Sequence, residues 1–295
     1  MIRDAVRRFI EAEIVPNLEE LEHGDMPPYE ILRKLFSTFG MDEMARTRFE
    51  KQIALEKRIA AGEEPSGKKK RAKDTGGRGD AVAMTLVPII EICRYCPGMV
   101  TAMGVSTGLA AASVMSKGTI EQKERFGLDL LTMDKIGAWA ITEPGSGSDA
   151  FGSMKSTARD NGDGTYTLNG NKTFITNGPY ADTIIFICKL EEAGVDPKDR
   201  KIMNFVLETG MEGLTQTKPM RKMGLHSSPT GELFLSDVIA GKDLLLGGKP
   251  VTRQGSGTKD TFSMERSGVA AMALGIIERC LELSIKYAKE RVQFG

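Results

Sequence analysis

Apolar positions in the first third of the chain recur at helical spacing. Val6, Phe9, Ile10, Ile14 and Val15 precede Pro16, and Ile31, Leu32, Leu35 and Phe36 repeat the pattern after Pro27-Pro28, so two bundle helices are expected. The pattern resumes over residues 84–92. Residues 99–116, rich in Ala, Gly, Ser and Met, have the composition of a helix packed closely on all sides, central to an N-terminal bundle. Thr119-Ile120-Glu121-Gln122 is a capping box opening an amphipathic helix through Phe126 and Leu131. From Lys135 the period changes. Short β-rich runs at 138–142, 166–168, 173–176, 184–188, 202–207 and 232–238, several separated by Asn-Gly or Gly-containing turns, read as an antiparallel meander. Beyond Gly255–Gly257, Val269, Met272, Ala273, Ile276, Ile277, Cys280, Leu281, Ile285 and Ala288 return to helical intervals, which predicts a helix over 262–292 on the order of 45 Å long. The expected fold class is α+β: a helical domain at 1–134, a β domain at 135–254, and the first helix of a second helical domain at 255–295.

Composition changes this picture little. The 40 Lys and Arg residues balance 40 Asp and Glu, so no net basic field argues for nucleic acid or an anionic membrane, and no run approaches the length expected of a membrane span. The N-terminus carries arginines without a following apolar core or small-residue cleavage site, and reads as an amphipathic helix. Four scattered cysteines fit no disulfide framework, which agrees with a cytoplasmic or mitochondrial-matrix protein. Cys93 and Cys96 form a lone C-x-x-C with no second pair, and are read as buried thiols at a helix end. Residues 42–80 are highly charged and contain the basic run Lys68-Lys69-Lys70-Arg71, which suggests a solvated, flexible insertion.

Candidate chemistry concentrates in two stretches, Ala138–Asp149 (AWAITEPGSGSD) and Asn169–Gly178 (NGNKTFITNG). Gly145, Gly147 and Ala150 fit the letters of a dinucleotide fingerprint, G-x-G-x-x-A. The context excludes it, because Gly152 and the Asp160-Asn161-Gly162-Asp163-Gly164 turn leave no room for a crossover helix. His226, one of two histidines, sits in a loop that offers no nucleophile for it to serve, and is read as a loop imidazole held by backbone.

Taken together, AITEPGSGSD and the NGNKTFITNGPYAD run that follows it resemble the acyl-CoA dehydrogenase family of flavoproteins. Asn177–Asp182 and the pair Glu265-Arg266 look closest to the isovaleryl-CoA branch. The resemblance implies FAD as cofactor, with Trp139, Ala140, Ile141, Thr142 and Ser148 along one side of the flavin and Phe174, Ile175 and Thr176 along the other. It implies that Arg291, Gln293 and Phe294, in an R-x-x-F-G segment, reach the cofactor of a neighbouring subunit. Glu265 would be the catalytic base; in other branches the base lies in a Tyr-Glu-Gly segment that would fall beyond Gly295. Ser148, Ser263 and Arg266 would hold the acyl-CoA substrate. The implied reaction is α,β-dehydrogenation of the thioester, with electrons passed to an electron-transfer flavoprotein by a homotetramer or homodimer. Family members continue with further helices, so a longer protein is expected. An acyl-CoA oxidase using O2, and a non-catalytic flavin- or nucleic-acid-associated relative with Lys68–Arg71 as contact, are the competing readings.

Overall fold

A computed structural model of the chain describes residues 2–63, 86–250 and 256–294, the side chains of 256–267 excepted. Lys68–Arg71 lies outside the described residues. Helices come first: α1 (Ile2–Phe9), α2 (Leu18–Glu22), α3 (Tyr29–Thr38), α4 (Met41–Ala60), α5 (residues 86–93), α6 (Pro97–Lys117) and α7 (residues 120–131). The periodic residues Val6, Phe9, Ile10, Ile14, Ile31, Leu32, Leu35 and Phe36 are buried together with Ile92, Met99 and Val100 in one core. The capping box forms as expected: the Gln122 N–H donates to Thr119 Oγ1 at 3.3 Å and the Thr119 N–H to Gln122 Oε1 at 3.1 Å. The Gln122 amide also donates to the carbonyls of Asp243 and Leu245, which ties the start of α7 to the end of the β region.

Two sequence expectations change here. Charge at residues 41–60 does not mean a flexible excursion, because those residues form the 20-residue helix α4. Its Lys, Glu, Arg and Ala are strong helix formers, Phe49 and Ile53 give it a buried stripe, and Lys57–Glu124 and Lys123–Glu56 pairs fasten it to α7. Secondly, α6 is long and apolar enough to cross a membrane by length and composition alone. Here its Ala110, Ala111 and Val114 are buried in the core of the sheet, and Ser106 Oγ accepts the Gly137 N–H at 2.8 Å. The approach is close: a Cβ at Gly137 would stand 2.6 Å from that of Ala110.

The strands are β1 (Gly137–Ala140), β2 (Thr157–Asp160), β3 (Thr165–Thr176), β4 (Thr183–Leu190), β5 (Ile202–Glu208), β6 (Leu214–Gln216) and β7 (Thr230–Gly241). The β3–β7, β4–β5, β2–β3 and β6–β7 pairs are antiparallel, but β1 and then β2 run parallel along one edge of β4, so the sheet is mixed and not a simple meander. The cause is local. The Ile136 carbonyl accepts the N–H groups of Asp182 and Thr183, while the Asp182 carboxylate takes the Ile136 N–H, so β1 and β4 must start side by side. Asn169-Gly170 also departs from expectation: it makes no turn but lies within β3, at a shift of register against β7. A Cβ at Gly170 would sit 2.2 Å from Ser156 Oγ, so the glycine serves close packing of β3 on the chain before β2.

The last element, α8 (Ser256–Glu290), has 35 residues and at ~1.5 Å per residue is about 52 Å long. It is held to the bundle by Arg94, which pairs with Glu278 at 2.9 Å and with Glu282, and by Gly275, where a Cβ would meet the Ile90 carbonyl at 2.2 Å.

Candidate functional site

Strand alternation builds one wall of a groove. Ala138 and Ala140 point into the core of the sheet, which turns Trp139 and Ile141 to the opposite face. The groove has a volume of about 400 Å³ and is walled by β1 and its extension to Thr142, by the Gly147–Phe151 turn, by Phe174–Thr176 at the end of β3, and by Val105 and Leu109 of α6. Two irregularities shape it. The register of β3 against β7 shifts between Lys172 and Ile175, leaving Phe174, which lines the groove, at φ 56° and 68% exposed. Across from it, α6 is π-helical over Gly104–Ala111, the segment that presents Val105 and Leu109.

The polar groups fall into two sets. The side-chain hydroxyls of Thr142, Ser148 and Thr176 line the groove and have no protein partner among the described residues. Behind the wall lies a buried ion pair. Lys172, 0% exposed, donates from Nζ to Glu143 Oε1 at 2.9 Å and to the Ile141 carbonyl at 3.0 Å, and Glu143 also accepts the backbone N–H groups of Lys155 and Ser156. Burial pushes the Glu143 carboxyl up, but these hydrogen bonds and the Lys172 charge outweigh it and hold the group below the usual carboxylate range. Burial pulls Lys172 down against the opposing pull of Glu143.

A pH prediction follows from the sign of the Glu143 shift. A carboxyl whose pKa is lower folded than unfolded contributes stability that is complete above the unfolded value near 4.5 and is lost as pH falls through the folded value. Glu143→Gln is therefore expected to be less stable than the parent at pH 7, with the gap narrowing below about pH 4.5. Urea titrations at pH 7 and 3.5 measure it, and a gap that widens in acid would contradict it.

Of the residues expected at a cofactor site, Trp139, Ile141, Thr142, Ser148, Phe174, Ile175 and Thr176 meet at the groove. Ala140 lies on the same strand with its side chain fully buried in the core, so only its backbone could reach a ligand. Arg291, Gln293 and Phe294 follow the end of α8, exposed and not among the groove walls. Glu265, Ser263 and Arg266 lie within α8, and their side chains are outside the described residues. Val105, Leu109 and Phe151 are lining residues that sequence reasoning missed. The i, i+4 spacing of Val105 and Leu109 was the available signal, hidden by a helix of small residues that reads as packed all round.

The other candidates are quieter. His226 borders a separate cleft of about 470 Å³, where its Nε2 lies 3.0 Å from the backbone nitrogen of Lys222 and supports its own loop. Burial pushes the Cys93 and Cys96 thiols up to about 12, and Cys96 donates to the Glu22 carboxylate, so both are inert thiols.

The chain matches the acyl-CoA dehydrogenase N-terminal domain over residues 70–134, the middle domain over 138–238 and the C-terminal domain over 255–295. It is 39% identical to the short-chain-specific acyl-CoA dehydrogenase of Megasphaera elsdenii, over 75% of this chain and 57% of that one. It is 33% identical to a subunit of the caffeyl-CoA reductase–Etf complex of Acetobacterium woodii, over 100% of this chain and 69% of that one. The isovaleryl-CoA dehydrogenase of Arabidopsis thaliana matches at 30%, over 99% of this chain and 64% of that one. Among solved structures, butyryl-CoA dehydrogenase from Megasphaera elsdenii superposes with a TM-score of 0.74 at 32% identity, covering 100% of this chain and 69% of that one.

Proposed function

The chain belongs to the acyl-CoA dehydrogenase family, and from that premise we propose that it forms the FAD-binding part of an enzyme that desaturates an acyl-CoA thioester between Cα and Cβ. In this reading residues 1–134, 135–254 and 255–295 are its N-terminal, middle and C-terminal domains. Electrons go on to an electron-transfer flavoprotein, in the cytoplasm or a mitochondrial matrix, and a homodimer or homotetramer is the working unit. The observation that carries the proposal is the groove itself, where two stretches of sequence and one helix converge on an aromatic slot rimmed by hydroxyls that have no partner among the described residues.

The residues present fit a flavin. A flat heteroaromatic ring needs apolar faces and donors at its edges, and the groove offers Trp139, Ile141, Phe174, Val105 and Leu109 for the first, and Thr142, Ser148 and Thr176 for the second. The rest of the dinucleotide exceeds about 400 Å³ of groove and would lie outside it, with Arg291 as a guanidinium fork for a pyrophosphate and Gln293 and Phe294 beside it. When bound, FAD supplies the acceptor for the β-hydrogen and its electron pair. The chain supplies the rest. Trp139 and Phe174 set the plane of the ring, Ser148, Ser263 and Arg266 hold the thioester and its CoA, and a carboxylate, Glu265 in this reading, takes the proton from Cα.

Short acyl chains are the first substrates to try, on the strength of the 39% identity to a short-chain-specific enzyme. The test is an anaerobic titration of the flavin-loaded protein with acyl-CoA thioesters of increasing length, following the oxidised flavin band. Bleaching by one length class is expected. A protein that holds flavin but is bleached by none would overturn the activity, and fast peroxide formation in air would turn the reading to an oxidase.

A further inference from the structure

The ion pair behind the groove has more order than a core needs. Lys172 is fully buried, a costly place for an ammonium group, and its Nζ is shared between one carboxylate and one backbone carbonyl, that of Ile141. Its third neighbour is the face of Phe186, whose ring centroid lies 5.4 Å away. Glu143 is fixed in turn by the N–H groups of Lys155 and Ser156, so the pair cannot swing. The next carbonyl, that of Thr142, accepts the Thr173 N–H at 3.0 Å. Both carbonyls of the Ile141–Thr142 segment are thus committed to groups on β3.

A trans peptide is planar and places the N–H of one residue opposite the C=O of the residue before it. None of the peptide bonds among the described residues is cis. With the Ile141 carbonyl turned back to Lys172, the Thr142 N–H must face the other way, and both residues line the groove. That N–H has no partner among the described residues. A cation on a peptide oxygen also draws electron density from the amide, which makes its N–H a stronger donor.

We infer that Lys172 is a positioning residue that aims and polarises the Thr142 N–H toward an electron-rich edge of the bound flavin, and so favours the reduced cofactor over the oxidised one. The inference rests on the flavin reading above. It follows from the contacts of the pair: Lys172 Nζ donates directly to the carbonyl of Ile141, a groove residue, and a fixed dipole, backed by a positive end, stabilises negative charge that appears only on reduction and costs no reorganisation when it does. Glu143 keeps Lys172 protonated and in place, so the pair acts on the groove although its net charge is zero.

Two measurements test it. In the first, Lys172→Gln and Lys172→Arg are loaded with FAD, and each midpoint potential is measured by dye equilibration beside the affinity for oxidised FAD. Lys172→Gln is expected to lose at least about threefold in its preference for reduced over oxidised FAD, while Lys172→Arg, which keeps the charge, loses less. An unchanged potential in a Lys172→Gln protein that still binds FAD would overturn the inference. The second needs no variant and covers the case in which Lys172→Gln does not fold. Amide hydrogen exchange on the parent protein should find the Thr142 N–H fast in the flavin-free form and protected when FAD is added; equal rates in both would overturn the inference. If the parent binds no FAD at all, it is the flavin reading that fails, and the two failures are told apart.

Discussion

Replacing Asn177 with alanine is expected to destabilise the protein by about 3–5 kcal/mol and to weaken flavin binding at the same time. Asn177 directly follows Thr176 of the groove, is fully buried, and has φ 64°. Its side-chain amide donates to the carbonyls of Ala102 on α6 and Gly137 on β1, both at 2.9 Å, and its Oδ1 accepts the Tyr29 hydroxyl of α3 at 3.0 Å. Three walls of the groove are therefore tied to one side chain: β3 through the residue itself, β1 two positions before Trp139, and α6 three positions before Val105. Alanine removes three buried hydrogen bonds, strands the Tyr29 hydroxyl, whose ionisation burial already opposes, and must adopt a left-handed backbone that asparagine tolerates better. Asn177→Gly separates these causes. It removes the same bonds but accepts the φ, so it should recover about 1 kcal/mol of the loss and little of the flavin affinity. Urea unfolding at pH 7 and flavin titration measure both quantities, and an Asn177→Ala protein within 1 kcal/mol of its parent would contradict the account.

How much of this was legible beforehand depended on whether a signal was local. The capping box at Thr119 and the apolar stripes of α1 and α3 are sequence-local and form as expected, because each element's own residues determine them. The same holds for rejecting the dinucleotide fingerprint at Gly145–Ala150: a turn of Glu143 against Ser146 stands where a crossover helix would have begun. Asn169-Gly170 misled because an Asn-Gly pair is a hairpin signal only where the strands around it can pair with each other, and here β3 pairs with β7 on one side and β2 on the other. Over residues 41–60 the density of charge masks the Phe49 and Ile53 stripe that gives the helix its buried face. At the groove, the motifs named the β1 and β3 walls, but Val105 and Leu109 became visible only once α6 was seen to lie on β1, a long-range contact that no local pattern encodes.

Glu265→Gln is the change expected to affect catalysis most. Removing an α-proton requires a carboxylate, glutamine is nearly isosteric but cannot accept the proton, and loss of a general base costs about 10²–10⁴-fold. Flavin reduction by the best acyl-CoA in a stopped-flow experiment should slow by that factor, while FAD affinity and stability hold, since the amide keeps the size of the side chain. Glu265 lies within α8, which is bound to the bundle farther along its length through Arg94 and through the close approach at Gly275. The competing placement is that of the other branches and puts the base in a Tyr-Glu-Gly segment after Gly295. A Glu265→Gln protein that reduces its flavin at the parental rate would decide for that placement. The proton would then be taken by a group from outside this stretch of chain, while the groove, Asn177 and the Lys172–Glu143 pair would keep the roles argued for them, because none of those arguments passes through Glu265.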